Sequence, residues 1–94
     1  MSDRLDQFDI DYIVMEAKVR GVKPSVRGEI VEDSRLVNFF LEDCILLECH
    51  LVDCSEHTVI LKSCIVSNNV ATNSVMFNCT FLRSRIDVGC VQIP

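Results

Sequence analysis

From Glu29 to Val88 the chain repeats one pattern of apolar and polar positions every five residues. The blocks read EIVED, SRLVN, FFLED, CILLE, CHLVD, CSEHT, VILKS, CIVSN, NVATN, SVMFN, CTFLR and SRIDV. From Cys44 onward the first position is small in nearly every block: Cys44, Cys49, Cys54, Val59, Cys64, Asn69, Ser74, Cys79 and Ser84. The third is apolar throughout except at Glu56: Val31, Leu36, Leu41, Leu46, Leu51, Leu61, Val66, Ala71, Met76, Phe81 and Ile86. The fifth is mostly Asp, Asn, Ser or Thr, residues whose short polar side chains favour turns. A short fixed period of this kind signals stacked repeats, in which no single unit buries its apolar face alone.

A polar turn former after each short β-branched run describes a chain that turns a corner after every short side. The expected fold is all-β, a small β-solenoid over residues 28–94, right-handed by family resemblance, and preceded by a non-repeat segment over residues 1–27. Small first positions and large third positions are expected to point inward. This pattern resembles the pentapeptide-repeat family, and also short right-handed β-helices of viral type. The family resemblance implies a square coil of about twenty residues, so the twelve blocks would make about three coils spaced roughly 4.8 Å apart. Leu41 would then stack with Leu61 and Phe81, Leu46 with Val66 and Ile86, and Cys44 with Cys64 and Ser84. Two departures from the family are visible. Its Asp or Asn at the second position has moved here to the fifth, and Glu56 occupies an inward position. An unpaired buried carboxylate is costly, so a bulge or loop is expected at 55–58.

In residues 1–27 Phe8, Ile10 and Tyr12 alternate with Asp9 and Asp11, as in a strand. Leu5, Phe8, Tyr12 and Met15 also fall at helical spacing, and a short helix ending near Val19 is the preferred reading, with Ser2 or Asp3 as its cap. Gly21-Val22-Lys23-Pro24 then breaks it. The segment is expected to cap the first coil or to reach a partner through Phe8, Ile10, Tyr12, Ile13 and Met15.

The outward positions carry the functional signal. Phe40, Ile45, Ile60, Ile65, Val70 and Val75 at second positions, with Leu47, Phe77 and Leu82 at fourth, form more outward apolar surface than a monomer usually exposes. They are the expected oligomer interface, and the expected assembly is a homo-oligomer, a trimer first, attached to a protein surface such as a capsid.

Composition changes this picture little. The 94 residues allow one domain and carry a net charge of −5. Eight acids against the single base Arg35 over residues 29–56 disfavour direct nucleic-acid binding. The resemblance adds an alternative here, since some pentapeptide-repeat proteins are acidic DNA mimics that bind topoisomerases. No apolar run is long enough to span a bilayer, and the N-terminus lacks a signal-peptide pattern. A cytoplasmic or virion setting with reduced thiols is therefore expected. Cys44, Cys49, His50, Cys54 and His57 lack the paired spacing of structural zinc sites. His50 also points away from Cys49 on a strand. Cys90 is out of phase and is expected to be an exposed thiol. The expectation is a non-enzymatic protein with no metal and no cofactor.

Overall fold

The computed structural model describes residues 4–87 and 89–94. Strands are numbered in chain order. After β1 (Arg4–Leu5) comes the one helix among the described residues, α1 (Gln7–Arg20), and then β2 (Ser25–Arg27), β3 (Ile30–Glu32) and β4 (Arg35–Val37). The middle of the chain forms β5 (Phe40–Glu42), β6 (Ile45–Leu47), β7 (His50–Val52), β8 (Ser55–His57), β9 (Ile60–Lys62) and β10 (Ile65–Ser67). The series ends with β11 (Val70–Thr72), β12 (Val75–Phe77), β13 (Thr80–Leu82), β14 (Arg85–Ile86) and β15 (Val91–Ile93).

From β2 to β13 each three-residue strand takes the second to fourth positions of one block, and each described fifth position turns a corner in the left-handed backbone region. The φ values run from 48° at Asp33 to 61° at Asn38. Asn and Asp tolerate that region better than other residues carrying a Cβ, which accounts for their place in the repeat. The corners are further tied by stacking: the Asn68 amide donates to the Asp53 carboxylate one coil below.

Strands pair in parallel with a register of fifteen residues: Leu36 with Leu51, Leu51 with Val66, and Val66 with Phe81. The coil is therefore a triangle of three blocks and not a square of four. One side holds β1-β3-β6-β9-β12-β15, the second β2-β5-β8-β11-β14 and the third β4-β7-β10-β13. With six, five and four strands on its sides, the solenoid has about five turns where about three were expected. The twenty-residue columns proposed for Leu41, Leu61 and Phe81, for Leu46, Val66 and Ile86, and for Cys44, Cys64 and Ser84 do not form. The observed inner columns are Val31/Leu46/Leu61/Met76, Val26/Leu41/Glu56/Ala71/Ile86 and Leu36/Leu51/Val66/Phe81. Three inward side chains per coil, mostly leucine-sized, close the narrow triangular interior.

The coil starts earlier than the repeat suggests. Pro24–Gly28 is a further block, with Val26 inward, β2 paired to β5 and Gly28 at the corner with φ 70°. The boundary drawn at 27/28 falls inside it. Residues 4–5 pair with β3 as well. Between these strands α1 lies against the N-terminal end, its Ile10 within the core and Ile13 packed on it. Asp6 is the N-cap, in a reciprocal box with Asp9. Ser2 and Asp3 lie outside the described residues, as does Val88. The helix ends at Gly21 in the left-handed region, where the Gly21 and Val22 N–H groups bond to Lys18 and Ala17 carbonyls. Gln7 fixes the helix to the open edge of β4. Its Oε1 accepts from the Arg35 N–H at 2.7 Å and its amide nitrogen donates to the Arg35 carbonyl at 3.3 Å. A side-chain amide thus takes the place of the missing strand.

Among the described residues Thr58 is the β-branched corner, held at φ 56°. Thr58→Asn, which matches the corners at Asn68, Asn73 and Asn78, is expected to stabilise the fold by about 1 kcal/mol. Calorimetry should show a rise in Tm; a fall would mean that the Thr58 side chain makes a contact worth more than the strain.

Candidate functional site

The fifteen-residue register sorts the outward residues by side. On the side containing β1 and β15, the second positions are Ile30, Ile45, Ile60, Val75 and Val91, one above another. The neighbouring outward column is Glu32, Leu47, Lys62, Phe77 and Ile93. Eight of these ten side chains are apolar, and they form a flat wall about 20 Å tall at the strand spacing of a sheet. Its one described ion pair lies at the lower rim, where Arg4 meets Glu32 at 2.6 Å. Ile60, at the centre of the wall, keeps 41% of its surface in water, and Val91 keeps 51%.

The other two sides differ. On the β2-to-β14 side Phe40 and Val70 alternate with Ser25, Ser55 and Arg85, beside a column containing the Arg27–Glu42 ion pair at 2.6 Å. On the β4-to-β13 side Ile65 stands between His50 and Thr80, with Val37, Val52 and Leu82 in the next column. Of the nine expected interface residues, then, Ile45, Leu47, Ile60, Val75 and Phe77 share one wall. Phe40 and Val70 lie on the second side, and Ile65 and Leu82 on the third. Ile30, Val91 and Ile93 belong to the wall and were missed. Ile30 was legible as a second position, but Val91 follows a one-residue shift of phase. Of the expected arm residues, Phe8, Tyr12 and Met15 are exposed, whereas Ile10 is buried and Ile13 faces the core. Ile10 cannot meet a partner, because the helix face that carries it closes the coil.

Inside, the first positions have a role beyond filling space. In several blocks the N–H of the first-position residue is met by the first-position side chain one coil on. Phe39 N–H donates to Cys54 Sγ at 3.4 Å and Cys49 N–H to Cys64 Sγ at 3.4 Å. Val59 N–H reaches Ser74 Oγ at 3.2 Å, and Asn69 N–H reaches Ser84 Oγ at 3.2 Å. The same sulfurs donate back to buried carbonyls, as Cys64 does to Leu46 and Lys62 at 3.4 Å. Cys, Ser and Asn recur at this position because each is small and able to accept a hydrogen bond. Every block of five thus turns one corner with the same division of labour among its residues. The chain is a β-solenoid built from five-residue blocks.

No protein-family model matches this solenoid, and no curated protein does. Among solved structures it is similar to a pentapeptide repeat protein (Rfr23) from the cyanobacterium Cyanothece 51142, at 12% identity and a TM-score of 0.28. That likeness covers 73% of this chain and 64% of the other, so the solenoid spans just under two thirds of that protein's length.

All six cysteines are unpaired, and Cys49, Cys64 and Cys79 share one column. Burial pushes the Cys44 and Cys79 thiols up, and Cys54 to about 11. The neighbouring Cys49 sulfur, with burial, raises Cys64. Such thiols stay protonated and are poor nucleophiles. Cys90, expected to be exposed and out of phase, is half-buried. It accepts from Ser74 N–H at 3.5 Å and donates to the Ala71 carbonyl at 3.4 Å. β15 pairs with β12 at a register of sixteen, Val75 with Val91, so one inserted residue returns Cys90 to the first-position role.

Glu56 overturns the expected bulge. β8 is a regular strand, and Glu56 lies inward with 2% of its surface exposed, between Leu41 and Ala71. Both carboxylate oxygens accept from the Asn69 amide at 3.1 Å, while Asn69 Oδ1 accepts from Cys54 N–H at 3.0 Å. The small Ala71 in the next coil leaves room for the pair. Burial raises the Glu56 carboxyl from 4.5 to about 7, against the opposing pull of the Asn69 amide.

Two outcomes follow from these interior bonds. Cys64→Ser, which keeps an acceptor for Cys49 N–H, is expected to cost about 1 kcal/mol, and Cys64→Ala about 2–3 kcal/mol because that N–H is left buried and unmade. Equal costs in urea denaturation would deny the sulfur its hydrogen-bonding role. For Glu56, the folded chain holds the proton more tightly than the unfolded one. Its stabilising contribution is therefore complete below pH 4.5, is lost as pH rises to about 7, and is flat above. Glu56→Gln should remove that decline and add about 3 kcal/mol above neutrality. An unchanged decline in the variant would place the titrating group elsewhere.

Proposed function

We propose that this chain is a non-enzymatic assembly module that associates with a second copy of itself through the apolar wall, and so helps build or decorate a larger particle. The observation that carries the reading is the single-sided placement of Ile30, Ile45, Ile60, Val75 and Val91 on a rigid parallel sheet. Flat, contiguous apolar surface of this kind is rare on monomers and typical of interfaces. The wall also needs no ordering on contact, because its side chains stand on a fixed ladder, so little entropy is lost when it is covered.

Geometry favours two copies over the three expected from sequence. A closed trimer needs two complementary surfaces on each copy, whereas a two-fold pair needs one self-complementary surface, and the strongly apolar side is one. A cement or decoration component of a capsid or similar particle suits a small rigid body with one such wall. The acidic DNA-mimic reading finds less support. Glu32 and Glu42 are ion-paired on different sides and Glu56 is interior. Asp33 and Glu48 share one corner while Asp43 and Asp53 occupy the other two, so the acids do not line up as a phosphate-like stripe.

Light scattering on the purified chain is expected to give an oligomer at micromolar concentration. Ile45→Asp combined with Ile60→Asp should lower its mass, while Phe40→Asp, on another side, should not. A mass unchanged by the paired substitution, with β content intact by circular dichroism, sinks the reading.

A further inference from the structure

α1 has two apolar faces, and the coil uses only one. Ile10 and Ala17 are buried against the end of the solenoid. On the opposite face Phe8, Tyr12, Met15 and Val19 are 79%, 56%, 57% and 83% exposed. Their spacing of four, three and four residues is that of a coiled-coil seam. A helix this short is marginal alone, but here Asp6, Gly21 and the Gln7 bonds to Arg35 hold it formed. The ordering cost that such a seam would otherwise meet on association is already covered.

We infer that the outer face of α1 is a second self-association site, which joins two copies through an antiparallel pair of α1 helices at the N-terminal ends of their coils. Charge selects both the occupant and the direction. Asp11 and Lys18 flank the seam on the same edge, one heptad apart. In an antiparallel pair with Tyr12 against Met15 of the other copy, Asp11 of each helix faces Lys18 of the other, twice over. In a parallel pair Asp11 faces Glu16 of the other helix, and like charges meet. The other edge of the antiparallel pair brings Asp9 toward Glu16, but Asp9 is engaged in the capping box and Glu16 lies 4.0 Å from Arg20. Antiparallel helices also oppose their dipoles favourably. The four seam residues expose about 600 Å² per copy, so the pair buries about 1,200 Å², at the lower limit of stable interfaces.

This contact is independent of the apolar side wall. One two-fold contact at the wall and another at the helix would link coils into a string, so the mass of the native chain should grow with concentration.

The two contacts separate by sedimentation of five full-length variants, with helix content followed by circular dichroism. The side-wall variant Ile45→Asp/Ile60→Asp should remain a dimer, and Tyr12→Glu/Met15→Glu added to it should give a monomer. In the native background, Tyr12→Glu/Met15→Glu alone should stop the growth of mass at a side-wall dimer. Lys18→Glu should weaken the helix-mediated dimer at least tenfold, and Asp11→Lys combined with Lys18→Glu should restore it. A side-wall variant that is already monomeric overturns the helix pairing and leaves the side-wall reading intact. A dimer that ignores Tyr12→Glu/Met15→Glu overturns it as well, as does failure of the charge exchange to restore what Lys18→Glu removed.

Discussion

The whole molecule depends on the hydrogen-bonded ladder between residues one coil apart. Asp33 N–H bonds to the Leu47 carbonyl and Ile45 N–H to the Glu29 carbonyl, each at 3.0 Å, and the arrangement repeats along the chain. Strands of three residues are too short to be stable by themselves; each is held only because a strand above or below it is already in register. That register can be closed only if every corner turns alike. The left-handed residue at each described fifth position does so, and Glu48, Thr58, Ser63 and Arg83 accept the same conformation where the sequence offers no Asn, Asp or Gly. The corner geometry has overridden residue preference at these four places.

At Phe39, Cys49, Cys54, Val59 and Asn69 the first-position N–H lies outside the ladders, and the first-position side chain one coil on supplies its partner. This explains why the interior is not simply leucine. Cys54, Cys64, Ser74 and Ser84 are chosen by a hydrogen bond as much as by volume. Asn69 extends the same logic, since its carbonyl serves Cys54 N–H and leaves its amide for the Glu56 carboxylate. A buried carboxyl is tolerable because the first-position column had a polar group to offer it. The raised pKa shows that the compensation is incomplete, with burial outweighing a single amide donor.

A triangular cross-section also decides the surface. Each side collects every third block, so a residue type that recurs at intervals of fifteen is concentrated on one wall and one that recurs otherwise is diluted. Isoleucine and valine at 30, 45, 60 and 75 are concentrated; the acids of residues 29–56 are diluted over all three corners and two sides. Wall and helix seam together give the coil apolar surface along one side and at one end. Both surfaces are mounted on elements already ordered by the core.

The sequence by itself determined the five-residue phase, the inward and outward positions within it and the corner residues, and it favoured a short helix ending near Val19 over a strand. Each of these follows from local chemistry: side-chain alternation along a strand, the left-handed tolerance of Asn and Asp, and the helical spacing of Phe8, Tyr12 and Met15. Tertiary structure alone decided how many blocks close a coil. Three or four blocks give the same pattern of inward and outward positions, so the pattern cannot distinguish them; the pairing register of fifteen residues does. From that one number came the stacking partners that sequence reading missed. It put Cys64 beside Cys49 and Cys79 and not beside Cys44, set Glu56 in reach of Asn69, and brought Ile45 and Ile60 onto one wall while sending Ile65 to another. The two faces of α1 were likewise unassigned until the coil took Ile10 and left Phe8, Tyr12, Met15 and Val19 in water.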